Sequence, residues 1–215
     1  MSTTIVGPDG KSRCRWSAAA PEFLHYHDSE WGFPVGDDHR LFEKLSLEGF
    51  QSGLSWRTIL AKRENFRAAF HHFDFDRIAR FTGRDVDRLL KDEGIIRHRG
   101  KIEAVINNAQ RARELVAREG SLAAFLWRYE PADPLASPQT VSTSAESIAL
   151  SKELKKQGWK FVGPTTVYAF MQAMGIVNDH LEGCYCRPAV ERQRAAFRRP
   201  VSATRGPAAG ARRSS

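Results

Sequence analysis

The sequence predicts an all-α fold, and two observations support this: the spacing of its apolar residues and the residues that stand between the apolar groups. Apolar side chains recur every three or four positions, which is the period of a helix with one buried face. They form three groups along the chain: Leu41, Phe42 and Leu45; Ile78, Phe81, Val86, Leu89 and Leu90; Ile102, Val105, Ile106, Ala109, Leu115 and Val116. Each group predicts helical structure with one face in the core.

Capping residues stand where these helices should begin and end. Asp37 and Asp38 can accept hydrogen bonds from the first free amides of a helix that begins near His39. Gly120 follows a long periodic stretch, as glycines often do where a helix ends. Residues 142–144 contain serines that can cap the next helix.

Length and composition favour one folded domain between two terminal segments. A chain of 215 residues, 41% of them hydrophobic, can bury one substantial core, since domains typically contain roughly 100–200 residues. We expect a flexible N-terminal extension over residues 1–12 and a folded domain over residues 13–190. Residues 131–138 contain three prolines and no helical period, so a loop should separate two groups of helices there. Residues 191–215 should be disordered, because hydrophobic side chains nearly vanish from Gln193 onward.

The positive charge of the chain is concentrated near its C-terminus. The formal net charge is +8, and residues 191–215 hold seven arginines and one glutamate, which give +6 and leave +2 for the rest. A polyanionic partner is compatible with this charge, which reports non-specific attraction rather than fold. The N-terminus lacks the apolar run of a signal peptide, and no run of about 18 apolar residues predicts a membrane span. We therefore expect a cytoplasmic protein without a membrane partner.

Two cysteines and two histidines near the chain ends form a candidate metal site. Cys14, Cys184 and Cys186 are too few and too unevenly placed for a secreted disulfide framework. The pairs Cys14-x12-His27 and His180-x3-Cys184 together supply four ligands of the kind that bind zinc tetrahedrally, and such a closed site is structural. The second spacing would place its two side chains one turn apart on a helical face. The pairs do not form a standard finger, so spacing alone leaves open that they are unrelated residues.

A glutamate falls on the apolar face of the first predicted helix. Glu48 follows Leu41 by seven residues and Leu45 by three. Such a carboxylate either turns outward at the helix end, which is the commoner outcome, or is held in a pocket. The segment from Gly49 to Trp56 favours the pocket, because its glycines and serines allow a tight bend that presents an aromatic side chain.

Further aromatic residues surround the candidate ligand His27 in the sequence. Phe23, Tyr26 and Trp31 flank it, and Trp16 lies nearby. Packing in the core is the ordinary role of such side chains, and some of these residues are expected to serve it.

The segment from Leu154 to Thr166 predicts a helix, a glycine-bearing turn and a second helix. Pro164 suits a first helical position, and the amides that follow it would point out of the helix N-terminus. A phosphate could bind these amides with Lys156 and Lys160 close by. A plain helical hairpin with a lysine-rich solvated face fits the same composition.

Taken together, these residues closely resemble the DNA-3-methyladenine glycosylase I family from about Arg13 to about Pro188. Five strings carry the resemblance: Tyr26-His27-Asp28-Ser29-Glu30-Trp31-Gly32, Leu47 through Trp56, Gly94-Ile95-Ile96-Arg97-His98-Arg99-Gly100-Lys101, Lys160-Phe161-Val162-Gly163, and Val177-Asn178-Asp179-His180 with Gly183-Cys184. The N-terminal extension and the arginine-rich tail lie outside it.

The resemblance implies an all-α member of the helix-hairpin-helix glycosylase superfamily. It implies one structural Zn²⁺ that joins the N- and C-terminal segments through Cys14, His27, His180 and Cys184. It also implies that the hairpin binds the DNA backbone, and the residues we assign to this contact are Lys160, Gly163, Thr165 and Thr166.

Members of this family stack the damaged base between a tyrosine and a tryptophan while a glutamate hydrogen-bonds its edge. The resemblance assigns these roles to Tyr26, Trp56 and Glu48. Three further aromatic residues are expected around the base: Phe23, Trp16 and Trp31. The phenylalanine stands where some relatives have a tyrosine, so a hydroxyl contact from that position is missing.

The activity that the resemblance implies is removal of alkylated adenine, chiefly 3-methyladenine, from double-stranded DNA by a monomeric enzyme. Chemistry on a base requires the nucleotide to be flipped out of the duplex. Alkylation makes the base cationic, which strengthens stacking on aromatic rings, and the anion of Glu48 would stabilise the charge that develops as the glycosidic bond breaks. Asp179 precedes His180 directly, so we expect it to steady the zinc ligands rather than to take part in catalysis.

Two other functions remain compatible with the sequence. One is a zinc-stabilised protein that recognises flipped bases without cutting them, although the aromatic setting of Glu48 speaks against it. The other is a bifunctional glycosylase and lyase, which would need an amine nucleophile. No lysine stands at an obvious nucleophile position in the predicted hairpin, which favours simple hydrolysis.

Overall fold

The computed structural model describes residues 3–133 and 138–202, and within them the chain is mostly helical, as predicted. The α-helices are α1 (Pro21–Ser29), α2 (Asp38–Gln51), α3 (Trp56–Ala61), α4 (Arg63–Ala69), α5 (Phe75–Ile78), α6 (Gly83–Lys91), α7 (Arg99–Glu119), α8 (Leu122–Leu126), α9 (Ala145–Lys156), α10 (Pro164–Ala173) and α11 (Arg187–Ala196). Short 3-10 helices cover Arg15–Ala18, His71–Phe73 and Trp127–Tyr129, and strands β1 (Thr4–Val6) and β2 (Ser12–Cys14) pair antiparallel. None of the described helices is long and apolar enough to cross a membrane.

Helix α2 runs through the centre of the molecule, where it packs against α7, α8 and α10. It begins as predicted, because the Asp37 carboxylate accepts a hydrogen bond from the Arg40 amide at 2.8 Å. Its predicted apolar face, with Leu41, Phe42 and Leu45, is buried. Burial of each such side chain contributes roughly 1.5–3 kcal/mol. The same face continues to Glu48, which brings a carboxylate into the interior.

The other predicted helix ends are also confirmed. Gly120 follows α7 with a φ of 88°, which a glycine adopts without strain. Ser144 caps α9 through a hydrogen bond from the Ser147 amide at 3.2 Å, and Pro164 is the first residue of α10. These three positions mark the end of α7 and the beginnings of α9 and α10.

The turn between α9 and α10 is braced from α7. The Asn108 side chain accepts a hydrogen bond from the Lys160 amide at 2.8 Å and donates one to the Lys160 carbonyl oxygen at 2.9 Å. The Ser151 hydroxyl donates to the Val162 carbonyl oxygen at 2.6 Å. The predicted helix, turn and helix therefore form a hairpin whose turn has a defined shape.

The N-terminal segment is a β-hairpin rather than the flexible extension that the sequence predicts. Strand β1 pairs with β2 in a register that joins Thr4 to Cys14. Arg13 forms ion pairs with Asp9 at 2.7 Å and with Asp28 at 2.8 Å, so one buried guanidinium ties the hairpin to α1. Pro8-Asp9-Gly10 is a local turn signal for this hairpin that sequence reasoning missed. The ion pair with Asp28 has no local signal, because that carboxylate lies on another element.

Helix α11 crosses residue 190, where the sequence predicts the end of the folded domain, and residues 191–202 of the predicted tail make long-range contacts. Phe197 packs on Trp127 with ring centroids 4.5 Å apart, and Arg194 and Arg199 both reach a carboxylate oxygen of Glu130 at 2.7 Å. A segment poor in apolar residues is thus held by a few long-range contacts. Residues 203–215 of the predicted tail and residues 134–137 of the predicted loop lie outside the described residues.

Candidate active site and metal centre

A cavity of about 320 Å³ opens beside the C-terminal half of α2. It is lined by Trp16, Tyr26, Trp31, Glu48, Gln51, Trp56, Gln139, Val141, Ala169 and Gln172. Five of the six residues predicted to bind or cleave at the base are therefore brought together. The exception is Phe23, which packs edge-on against Trp16 at 5.8 Å between ring centroids and does not line the cavity. A second cavity, of about 270 Å³ near Asn178 and Arg187, contains none of the predicted residues.

The carboxylate of Glu48 lies in the wall of the first cavity and is held by a lysine that sequence reasoning did not single out. Glu48 is only 6% exposed, and its Oε1 lies 2.7 Å from Nζ of Lys44. The same ammonium donates to the Tyr26 hydroxyl at 2.8 Å and lies 3.3 Å from the centroid of the Trp56 ring. Burial lowers the pKa of Lys44, and the charge of Glu48 opposes this. The spacing of four residues between Lys44 and Glu48 was the signal in the sequence that could have identified this ion pair.

Tyr26 and Trp56 are close neighbours in the empty cavity. Their ring centroids are 5.4 Å apart and their planes are inclined at 42°. A base stacked between them would need the rings about 7 Å apart, twice the stacking distance of about 3.4 Å. One ring must therefore move before a base can enter between them. Burial, followed by the charge of Glu48, raises the pKa of Tyr26 well above its usual range, so its hydroxyl stays protonated.

The turn between α2 and α3 presents one edge of the cavity. Lys101 of α7 donates to the carbonyl oxygens of Phe50 at 2.8 Å and Ser52 at 2.6 Å, which satisfies acceptors that the helix end leaves free. Gly53 has a φ of 79°, so the chain reverses tightly there. Leu54 follows it at the tip of the turn and is 42% exposed.

Asp179 supports the cavity wall directly and reaches the candidate metal ligands only through Gln139, whose side chain hydrogen-bonds Cys14. Its carboxylate accepts hydrogen bonds from the Gln139 amide at 2.7 Å and from the Gln172 side-chain amide. Burial raises the pKa of Asp179, and the two amide donors oppose this. Both glutamines line the cavity, and sequence reasoning did not identify either as part of the site.

The four predicted metal ligands converge in one buried cluster. One ligand atom from each of Cys14, His27, His180 and Cys184 lies within 4.8 Å of the others, and all four residues are buried. Sγ of Cys184 is 3.5 Å from Nε2 of His27 and 3.5 Å from Nδ1 of His180. A hydrogen bond between the two thiols lowers the pKa of Cys184 and raises that of Cys14, so a cation is needed for both to be thiolates. The cluster can therefore hold a metal ion.

The backbone around the second ligand pair differs from the prediction. His180 and Cys184 lie in the loop between α10 and α11 instead of on one face of a helix. The loop converges on the cluster because the Leu181 amide donates to Sγ of Cys14 at 3.4 Å and Arg187 donates to the His180 carbonyl oxygen. Contacts between the two chain ends, and not the spacing of a helix, thus bring His180 and Cys184 together.

Hydrogen bonds fix the orientation of both candidate imidazole ligands. His27 uses Nδ1 to donate to Asp28 Oδ1 at 2.8 Å, which leaves Nε2 for a metal. His180 uses Nε2 to donate to the Trp31 carbonyl oxygen at 2.9 Å, which leaves Nδ1. Ligand histidines in metal sites usually make such outer hydrogen bonds. Cys186, the third cysteine, lies on the Asp28 side of His27 at 3.9 Å from Nδ1, outside the four-residue cluster.

The residues predicted to bind the DNA backbone meet at the turn before α10. Gly163 is the N-cap of that helix, and its first turn contains Thr165 and Thr166. The side chains of Lys160 and Thr165 are exposed, and that of Thr166 is half-buried. The free amides of the first helical turn therefore open to the solvent beside a lysine.

A sequence model of the Methyladenine glycosylase family matches residues 16–187, which is well over half of the chain. The chain belongs to the methyladenine glycosylase family. It is 50% identical over 182 residues to "DNA-3-methyladenine glycosylase 1" of Escherichia coli (strain K12), and the match covers 82% of this chain and 97% of the relative.

Solved structures of the methyladenine glycosylase family share the fold. A crystal structure of 3-methyladenine DNA glycosylase I (TAG) superimposes with a TM-score of 0.77 at 48% identity, covering 81% of this chain and 98% of that one. A TAG structure from Staphylococcus aureus, described as the structural basis of 3-methyladenine recognition, has a TM-score of 0.77 at 38% identity and covers 82% and 96%. The mostly helical architecture is thus that of a TAG-like glycosylase.

Proposed function

We propose that this protein removes alkylated adenine, chiefly 3-methyladenine, from double-stranded DNA by hydrolysing the N-glycosidic bond. The observation that carries the proposal is the buried carboxylate of Glu48 in a cavity walled by Tyr26, Trp31 and Trp56. Its volume of about 320 Å³ lies within the range of small-molecule sites. The names of the relatives, which are DNA-3-methyladenine glycosylases, support the same substrate.

The cavity suits a flipped, positively charged base. Unstacking a nucleotide costs a few kcal/mol, and contacts in the cavity must offset this cost. Ring alkylation gives the base a positive charge, which favours stacking on the tryptophan and tyrosine faces. The base stacks between Tyr26 and Trp56 after Trp56, which is half-exposed at the start of α3, moves away from Tyr26.

Cleavage of the glycosidic bond in this cavity requires little catalytic assistance from the protein. As the bond between the sugar carbon and the base nitrogen breaks, its electron pair stays with the base, whose positive charge is thereby neutralised. Positive charge develops on the sugar, and the Glu48 anion, which is largely buried, stabilises it at short range. Water then supplies the hydroxyl group of the abasic site, and the free base is released.

Two surfaces beside the cavity would engage the duplex. The N-terminal turn of α10, with Gly163, Thr165 and Thr166, offers amides to a phosphate, and Lys160 adds a positive charge. Leu54 projects from the turn that borders the cavity, and exposed apolar side chains of this kind wedge between base steps in other DNA-binding proteins. We propose that Leu54 fills the space that the flipped base leaves in the duplex.

The metal in this proposal is one structural zinc ion. Cys14, His27, His180 and Cys184 fit it, because a tetrahedral Zn²⁺ with bonds of about 2.0–2.3 Å places neighbouring ligand atoms about 3.6 Å apart. Three sulfur to nitrogen distances in the cluster, from Cys14 to His180 and from Cys184 to His27 and His180, are 3.5 to 3.7 Å. Four protein ligands leave no position for substrate, so the zinc joins the two ends of the chain and supplies no step of the chemistry.

The remaining properties follow from this function. The cavity and the metal cluster are both complete within one chain, which supports action as a monomer. The substrate is chromosomal DNA, which supports a location in the cytoplasm.

Release of the free base tests the proposal. Methylated duplex DNA is incubated with the wild type and with Glu48→Gln, and 3-methyladenine is quantified by chromatography. Wild-type release with a loss of about 100-fold or more in the variant is expected for an electrostatic catalyst. Absence of release by the wild type overturns the function and favours recognition without cleavage. A covalent complex trapped by borohydride would indicate a lyase instead.

A further inference from the structure

Lys44 is a buried cation whose three donor directions all end on residues of the proposed base site. Its ammonium lies 2.7 Å from Glu48 Oε1, 2.8 Å from the Tyr26 hydroxyl and 3.3 Å from the centroid of the Trp56 ring. The side chain is 5% exposed and does not line the cavity. It therefore approaches the site from behind, within the core side of α2.

Burial of the Lys44 ammonium group costs free energy unless its charge has a role in the protein. An ammonium group taken out of water is unfavourable without an anionic partner, and a methionine or leucine would fill the same volume with no such cost. Lys44 and Glu48 stand four residues apart on one face of α2, so the helix itself sets their separation. The two opposite charges compensate each other, so removal of either side chain would leave the other as an unpaired buried charge.

We propose that Lys44 is a positioning residue that holds Glu48 as an anion in a fixed orientation and orients the Tyr26 hydroxyl for base recognition. This inference rests on the proposed function. Because Lys44 engages Oε1 from behind the cavity, the second carboxylate oxygen of Glu48 is left for the edge of the base. The ammonium also lies against the Trp56 face, which gives that ring a defined resting position in the empty site.

The charges around the pair are balanced. Glu30, directly after α1, and Arg63 of α4 form an adjacent ion pair at 2.6 Å, and both act on Lys44 at longer range. The formal charges of these two side chains and of Lys44 and Glu48 sum to zero. Removal of the Lys44 charge leaves Glu48 as an uncompensated buried carboxylate, which either binds a proton or swings toward water. Both outcomes remove a fixed anionic acceptor from the cavity.

The experiment compares Lys44→Met, which keeps the length of the side chain, with Lys44→Arg, which keeps the charge. Single-turnover release of 3-methyladenine is measured from methylated duplex DNA. We expect Lys44→Met to lower the rate about tenfold or more and Lys44→Arg to retain most of it, because misplacement of a catalytic group is costly. Lys91→Met, at an exposed position of α6, is the control and should match the wild type.

A double-mutant cycle separates action through Glu48 from a general loss of structure. In a Glu48→Gln background, Lys44→Met should change the rate several-fold less than it does in the wild type, since only the contact with the Tyr26 hydroxyl is left to lose. Circular dichroism and melting curves verify folding, and Lys44→Gln replaces Lys44→Met if the latter does not fold. A Lys44→Met rate within twofold of the wild type, or effects that multiply independently of Glu48, overturns the inference. Absence of release by the wild type would overturn the proposed function instead.

Discussion

Nε2 of His180 donates to the carbonyl oxygen of Trp31 at 2.9 Å, so a candidate zinc ligand is bonded directly to the wall of the cavity. The Trp31 and His180 rings also pack edge-to-face, with centroids 4.7 Å apart. The other imidazole ligand, His27, follows Tyr26 on α1. The metal cluster and the cavity therefore share backbone segments, so loss of a metal ligand should also disturb the cavity.

Loss of the zinc should weaken both stability and base binding. Cys184→Ala removes one ligand and leaves the remaining buried groups unsatisfied, so we expect the melting temperature to fall by roughly 10 °C or more, since 1 kcal/mol corresponds to about 2–4 °C in a domain of this size. Calorimetry and metal analysis measure the effect. Cys186→Ala is the matched control, because Cys186 contacts His27 and Cys184 without being one of the four clustered residues, so the zinc content should stay intact. Equal stability of Cys184→Ala and the wild type would contradict a structural metal.

Leu54→Ala should impair action on duplex DNA and leave binding of the free base unchanged. The Leu54 side chain lies outside the cavity at the tip of the turn, so it can contact a bound duplex but not a free base in the cavity. We expect kcat/KM on a lesion-containing duplex to fall about tenfold, because unstacking costs a few kcal/mol that a wedge offsets in part. Val6→Ala, at an exposed position of β1, serves as the control. A parallel loss of free-base affinity would place Leu54 in the recognition of the base itself.

Asp179→Asn should alter the cavity without loss of the metal. The new amide would face the Gln172 side-chain amide with a donor where the carboxylate accepted, so Gln172 must rotate or move. We expect affinity for 3-methyladenine, followed by tryptophan fluorescence, to weaken about three- to tenfold, which corresponds to the loss of one ordinary hydrogen bond of about 1 kcal/mol. Zinc content should equal that of the wild type. Depletion of zinc in the variant would instead restore the role that the sequence predicts for this residue.

Two truncations distinguish the packed part of the C-terminus from the segment that follows it. Deletion of residues 203–215 should leave the melting temperature unchanged and reduce the salt dependence of DNA binding, because it removes three arginines but no described contact. Deletion of residues 191–215 should in addition lower the melting temperature, since it removes Phe197 from Trp127 and two arginines from Glu130. Equal melting temperatures for the two truncations would show that the contacts of 191–202 carry no stability.

The helices were predictable because their signals are local. Asp37, Gly120, Ser144 and Pro164 mark helix ends through groups that act within three or four residues, and each mark is found in the structure. The apolar period likewise identifies the buried face of α2 and places Glu48 on it. A residue type at a fixed spacing is sufficient information for features of this kind.

The contents of the site were predictable only in part. The four candidate metal ligands and five cavity residues follow from strings that resemble a known family, whereas Lys44, Gln139 and Gln172 belong to no such string. A lysine within an otherwise apolar helix face is ordinary in a sequence. Its importance here comes from a tyrosine on α1 and a tryptophan on α3 that the fold brings to the same ammonium group.

By itself, the sequence determined the helical class, the helix ends, the set of groups able to bind a metal and the carboxylate on the buried face of α2. Only the tertiary structure decided that His180 and Cys184 reach the cluster from a loop, that Asp179 serves the cavity, and that Arg194 and Arg199 dock on Glu130. The physical reason is the range of the interactions. Capping and helical periodicity act within one turn, whereas ion pairs, thiol clusters and buried hydrogen bonds join residues that are distant in the chain.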